Sequence, residues 1–284
     1  MSHFDLKPVQ TQPKKRSAPK LKEVDSRLSF SYSPSPNGTD SNLLIFFHGL
    51  GDTFAPFAQL GKSLNLPQTA ILSLQAPTQI PLLEEPAFEW WESFDPLGEI
   101  IQNPNPTKTL ELITKVISYL TSSTGPNWPL SSLHFFGFAQ GASLAGELAL
   151  YLSRQSSTAT SNSTRKSIGS IVSISGGLLS HPTIPESSKP DNTKVCLVYR
   201  KGEERIVGVP SWKKGFRTVR EVELEGGRGR EGMPRGFEEW KEIMRFWSEV
   251  LVRRSALETG DDVYEVTGGI DAAKAAGARP PTSK

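Results

Sequence analysis

The chain has 284 residues, 36% of them hydrophobic, with 32 Lys and Arg against 30 Asp and Glu and a formal net charge of +2. That length and apolar content suit one large core, and so even a charge balance excludes a strong global field toward nucleic acid or an anionic membrane. The single cysteine, Cys196, excludes an internal disulfide and fits a reducing compartment.

Residues 1–27 are rich in Lys, Pro, Ser and Gln without apolar periodicity and read as a disordered basic tail. Lys14-Lys15-Arg16 within it is read as plain solvation rather than a targeting patch. A folded domain is expected over 28–257, with a mobile polar insertion at 155–167 and a second disordered tail at 258–284. Short apolar runs predict strands at 28–33, 43–47, 70–74, 133–138, 168–174, 194–199 and 218–224. Helical spacing predicts helices over 54–65, 107–121, 140–153 and 237–253. The last of these places Phe237, Trp240, Met244, Trp247 and Leu251 on one face, read as core-facing. The alternation implies an α/β fold, mostly parallel in its central sheet, with helices on both faces. No apolar run nears the roughly 18 residues of a membrane span, and no secretory stretch opens the chain. A cytoplasmic or nuclear protein is expected, and the sequons at Asn37 and Asn162 are read as idle.

Two glycine-punctuated turns carry the chemical information. In the first, the apolar run 43–47 leads into His48-Gly49-Leu50-Gly51-Asp52-Thr53. The second is Gly137-Phe138-Ala139-Gln140-Gly141, which has the frame of the G-x-S-x-G nucleophile elbow without its serine. The methyl group of Ala139 cannot attack a carbonyl. With the loop from Ala76-Pro77 to Asp95 and the weaker Ser175-Gly176-Gly177, these motifs resemble the phospholipase/carboxylesterase family of α/β-hydrolases, which includes the acyl-protein thioesterases. The resemblance spans about residues 40–252.

That resemblance implies an oxyanion hole made by the backbone amides of Leu50 and Gln140. It also places the family's catalytic acid at Arg205, with Glu203 or Glu204 as candidates if the loop shifts, although solvated loop charges are the favoured reading. The base falls on Arg230, within Gly227-Arg228-Gly229-Arg230. Arginine stays protonated at any working pH and cannot serve as a general base. His48 is read as structural, His134 as a hydrogen-bonded core residue and His181 as an isolated loop residue. Ser143 is a poor substitute nucleophile. Nothing in the spacing of four histidines and one cysteine suggests a metal site, and no cofactor is implied.

Residues 76–97 would wall the pocket with Ile80, Leu82, Trp90, Trp91 and Phe94. Two readings follow. The favoured one is a catalytically silent hydrolase-fold protein that binds an acyl or anionic ligand or a protein partner. The other is an active carboxylesterase or acyl-protein thioesterase with a non-standard catalytic set.

Overall fold

The structure is a computed structural model that describes residues 5–8, 16–81, 83–158, 167–179, 189–227, 232–253 and 264–267. The chain divides into two compact units. In the smaller, β1 (Asp5–Pro8) pairs antiparallel with β11 (Tyr264–Thr267), so each expected tail contributes one short strand.

The larger unit, residues 15–252, begins with α1 (Leu21–Val24), β2 (Phe30–Ser33), β3 (Asn42–Phe47), α2 (Phe54–Ser63) and β4 (Thr69–Leu74). It continues with β5 (Thr78–Gln79), β6 (Phe88–Glu89), α3 (Thr107–Thr121), β7 (Leu133–Phe138), α4 (Gln140–Thr158) and β8 (Ser170–Ile174). Then come β9 (Asp191–Arg200), α5 (Glu204–Val207), α6 (Val209–Gly215), β10 (Phe216–Leu224) and α7 (Gly236–Val250). Seven strands form one sheet in the order β10-β9-β8-β7-β3-β4-β2, in which only β2 runs antiparallel to its neighbour. This is the mostly parallel α/β fold that the alternating pattern predicts, in the α/β-hydrolase form that the turn motifs' resemblance implies.

The central strands are buried on both faces, which is why their sequences are continuous apolar runs rather than alternating ones. Successive side chains still part to opposite sides. Leu43, Ile45 and Phe47 join one core layer with α3 and α4, whereas Leu44 and Phe46 join the other with α2 and α7. The edge strand β10 carries Arg and Glu at its exposed positions, which blunts it against further pairing.

Two expectations are revised. Residues 16–27, expected within the tail, pack on the domain: Leu21 is fully buried with Leu28 in the layer that holds α3. Arg16 anchors this stretch. Its guanidinium lies 4.4 Å over the Trp128 ring and donates to the carbonyls of Pro126 and Asn127, while its backbone N–H reaches Asp40. Arg16 therefore has a structural role rather than one of simple solvation. Arg16→Ala should lower stability by about 1–2 kcal/mol in urea denaturation, from lost hydrogen bonds and cation–π contact. A change within about 0.3 kcal/mol would refute the anchor.

The second revision concerns α7. Its buried residues are Ile243, Phe246 and Trp247, whereas Phe237 is 76% exposed and Met244 sits at the margin. Glu239 explains the rotation, because it turns to a buried arginine, Arg200, and so sets which stripe meets the sheet. Trp240 and Trp247 keep their expected inward side and pack on Phe136.

Candidate functional site at an empty nucleophile elbow

β7 ends at Phe138 and α4 begins at Gln140, with Ala139 between them at φ +48°. A left-handed residue with a Cβ costs about 1–2 kcal/mol and persists only where its surroundings impose it. Here they do. The Ala139 N–H donates to Ile174 O at 2.8 Å, and its carbonyl accepts from Ala142 N and Ser143 N. A Cβ on Gly137 would collide with the backbone of Gly141 and Ala142, and one on Gly141 with the carbonyls of Phe47 and His48. The turn that aims a nucleophile is thus complete, with a methyl group at its tip.

The companion turn is also built. Gly51 N donates to Phe88 O at 2.9 Å, Asp52 N to Gly49 O, and the Asp52 carboxylate accepts Thr53 N. Among the described residues, neither the Leu50 N–H nor the Gln140 N–H finds an acceptor. Gln140 also opens the 19-residue α4, whose N-terminal end favours negative charge. The Gln140 donor directly follows Ala139, and the Leu50 donor belongs to the companion turn.

His48 is committed elsewhere. Its Nδ1–H donates to Gly49 O at 2.7 Å, while Nε2 accepts from Gln75 Nε2 and Ala76 N. Burial pushes its pKa down, so the ring is neutral and holds the turn. His134 bridges Ser170 Oγ and Asn42 Oδ1 inside the sheet, and burial pushes it down to about 3. Ser143 is buried, with its hydroxyl donating to Ala139 O at 3.4 Å. Arg230 and His181 lie outside the described residues.

The acid loop differs from the favoured reading. Arg205 is exposed on α5. Glu203, read as a solvated charge, is instead fixed: its Oε2 accepts from Ser175 Oγ at 3.0 Å and from Arg200 N at 3.1 Å. Ser175 follows β8 at φ +52°, directly after the residue that pairs with Phe138, so the carboxylate stands one strand away from Ala139. Only Glu204 behaves as a loop charge, capping Gly202 N. The Ser175-Gly176-Gly177 motif was the available signal, since Gly176 packs against Ala139 O and Ser143 N.

Sequence reasoning also missed the side chain of Gln140. Its Oε1 accepts from Trp90 N at 2.8 Å, and its Nε2 donates to Trp91 O and Ser93 Oγ. One residue thus supplies an elbow amide and clamps the covering loop. That loop is more ordered than its composition suggests, because β5 and β6 pair within it. Of the expected pocket wall, Trp90 and Trp91 are buried and line a cleft of about 350 Å³ against the start of α3 rather than the elbow. Ile80 is half-buried, and Leu82 lies outside the described residues. Phe94 is 46% exposed, because its bridge to Ile100 and the Asp95 turn carry it outward. No group of His, Cys, Asp or Glu among the described residues is placed to hold a metal, and no described helix is long and apolar enough to cross a membrane.

A family model described as Phospholipase/Carboxylesterase matches residues 34–209. An uncharacterized hydrolase of Mycosarcoma maydis is 39% identical over 242 residues, covering 84% of this chain and 87% of that protein. An uncharacterized hydrolase of Schizosaccharomyces pombe is 34% identical over 149 residues, covering 51% and 56%. Among solved structures, acyl-protein thioesterase 2 of Zea mays superposes with a TM-score of 0.55 at 20% identity, covering 79% of this chain and 99% of that one. The esterase PE8 does so with 0.57 at 16% identity, covering 79% and 99%.

Proposed function

The chain belongs to the phospholipase/carboxylesterase family of α/β-hydrolases, and from that premise we propose that it has lost acyl-transfer chemistry and acts by binding. One observation carries the reading: Ala139 keeps the strained elbow geometry while the Leu50 and Gln140 amides beside it remain unspent. An anionic or acyl-bearing ligand, with its carboxylate or carbonyl oxygen on those two donors, uses what the site retains. Without a nucleophile or a base in hydrogen-bond reach of one, no acyl-enzyme forms.

The wild-type protein should therefore show no turnover of short p-nitrophenyl esters or acyl-thioesters, and fluorophosphonates should not label it. Ala139→Ser should remain at least about 10³-fold below a complete triad, because a serine without its base is a weak nucleophile. Adding Arg205→Asp and Arg230→His should raise the rate above that of the single variant. If the single variant matches the triple, positions 205 and 230 are wrongly assigned.

A second reading has one observation of its own, the hydrogen bond from Ser175 Oγ to Glu203 Oε2. An active esterase with a non-standard set would use this pair. Its signature is fluorophosphonate labelling of wild-type protein that maps to Ser175 and disappears in Ser175→Ala. That result would overturn the silent reading.

A further inference from the structure

The cleft of about 350 Å³ on the α3 side of the covering loop has a chemistry of its own. Trp90, Trp91, Ile101 and Pro104 give it an apolar lining, and its volume holds roughly a dozen water-sized groups. Trp90 is held rigidly. Trp90 N is fixed by Gln140, Thr109 Oγ1 donates to Trp90 O, and the Trp90 ring packs edge-on against Phe47. A preformed, aromatic, partly apolar concavity of this size is what small-molecule sites share.

Three of its polar side chains offer donors. The Trp91 indole N–H finds no acceptor among the described residues, and Lys108 makes no ion pair there. Asn105 spends its Oδ1 on Thr107 N, which leaves its amide N–H groups. Lys108 stands in the first turn of the 15-residue α3, which has no acidic residue there to offset the helix's positive end. A lysine at that position adds to the positive end of the helix. Opposing it, Glu92 is the sole acid in the lining and is exposed.

We propose that this cleft is a binding site, separate from the elbow, for a small carboxylate with an apolar body. The body lies on Trp91, Ile101 and Pro104, and the carboxylate meets Lys108 and the start of α3. Glu92 opposes it from the other wall and weakens binding. Trp90 belongs to both sites, because its N–H is held by the elbow residue Gln140 while it lines the cleft.

The test uses the full chain, 3-phenylpropionate as probe and 3-phenylpropanamide as its uncharged twin, read by tryptophan fluorescence and calorimetry. The acid should bind with Kd below about 1 mM and the amide about 10-fold more weakly, since the charge-assisted contact is worth about that factor. Lys108→Gln should abolish the preference for the acid, and Glu92→Gln should tighten the acid about 2- to 3-fold. Both side chains are exposed, so both variants should fold, and their unliganded melting curves check this. Lys115→Gln, on the exposed side of the same helix, should match wild type. No saturable binding up to about 10 mM would overturn the site. Equal binding of acid and amide would overturn it too, as would a preference for the acid that persists in Lys108→Gln.

Discussion

Arg200→Met should destabilise the protein by about 3–5 kcal/mol, because it leaves a carboxylate and two carbonyls without the cation that satisfies them. Arg200 ends β9 with its side chain 4% exposed. Nη1 donates to Glu225 O at 2.9 Å and Glu239 Oε1 at 3.1 Å, and Nη2 to Met233 O at 3.2 Å and Glu239 Oε2 at 3.0 Å. The forked geometry suits a guanidinium and no other side chain. It ties α7 to the sheet and holds both flanks of the stretch that carries position 230. Glu239→Gln should lose less, about 1–3 kcal/mol, since the amide keeps one acceptor while leaving a buried cation uncompensated. The double change Arg200→Met with Glu239→Leu should be milder than Arg200→Met alone, because no orphaned charge remains. Urea denaturation of the three variants decides the matter. A loss below about 1 kcal/mol for Arg200→Met would show that the pair merely fills space.

The fold was legible where a single physical signal dominates. Runs such as Leu43–Phe47 and Leu133–Phe138 are apolar without alternation because both faces are covered, and the structure places them at the sheet's centre. Both turn motifs were legible because their geometry demands glycine: Gly137 and Gly141 press on backbone atoms, Gly49 on the Phe138 ring, and Gly51 takes φ +79°. What escaped depends on partners far away in the chain. Glu203 reads as a loop charge until Ser175, 28 residues earlier, is beside it. Gln140 reads as a helix-opening residue until Trp90 and Ser93 fold back onto its amide. Leu21 sits between lysines in a polar stretch, so no periodicity marks it, yet it is fully buried. The α7 stripe departs from its hydrophobic spacing for the same reason, since a buried ion pair with Arg200 fixes the helix's rotation.

Glu147 should contribute a fall in stability as pH rises from about 5 to 8, and Glu147→Gln should remove that contribution. Glu147 lies on α4, 1% exposed, where burial pushes its carboxyl up to about 8 against the Leu179 N–H and Arg154, which pull it down. Oε1 accepts from Leu179 N at 2.7 Å, while Oε2 is buried without a partner. The folded protein therefore keeps this proton through a window in which the unfolded chain releases it. With fewer protons bound in the unfolded state, stability declines with rising pH up to the folded value and levels off above it. At roughly 1.4 kcal/mol for each pH unit crossed inside that window, the decline attributable to Glu147 between about pH 5 and 8 is about 4 kcal/mol. His48 and His134 act oppositely, since their lowered values weaken the fold only as acid protonates the unfolded chain. The difference between wild type and Glu147→Gln isolates the carboxyl from both. Glutamine keeps the acceptor for Leu179 N but buries an amide N–H group, at a cost of about 1 kcal/mol that does not vary with pH. The two stability profiles should thus cross, with wild type ahead at about pH 5 and the variant ahead at about pH 9. Parallel profiles from about pH 5 to 9 would mean that the carboxyl is ionised throughout.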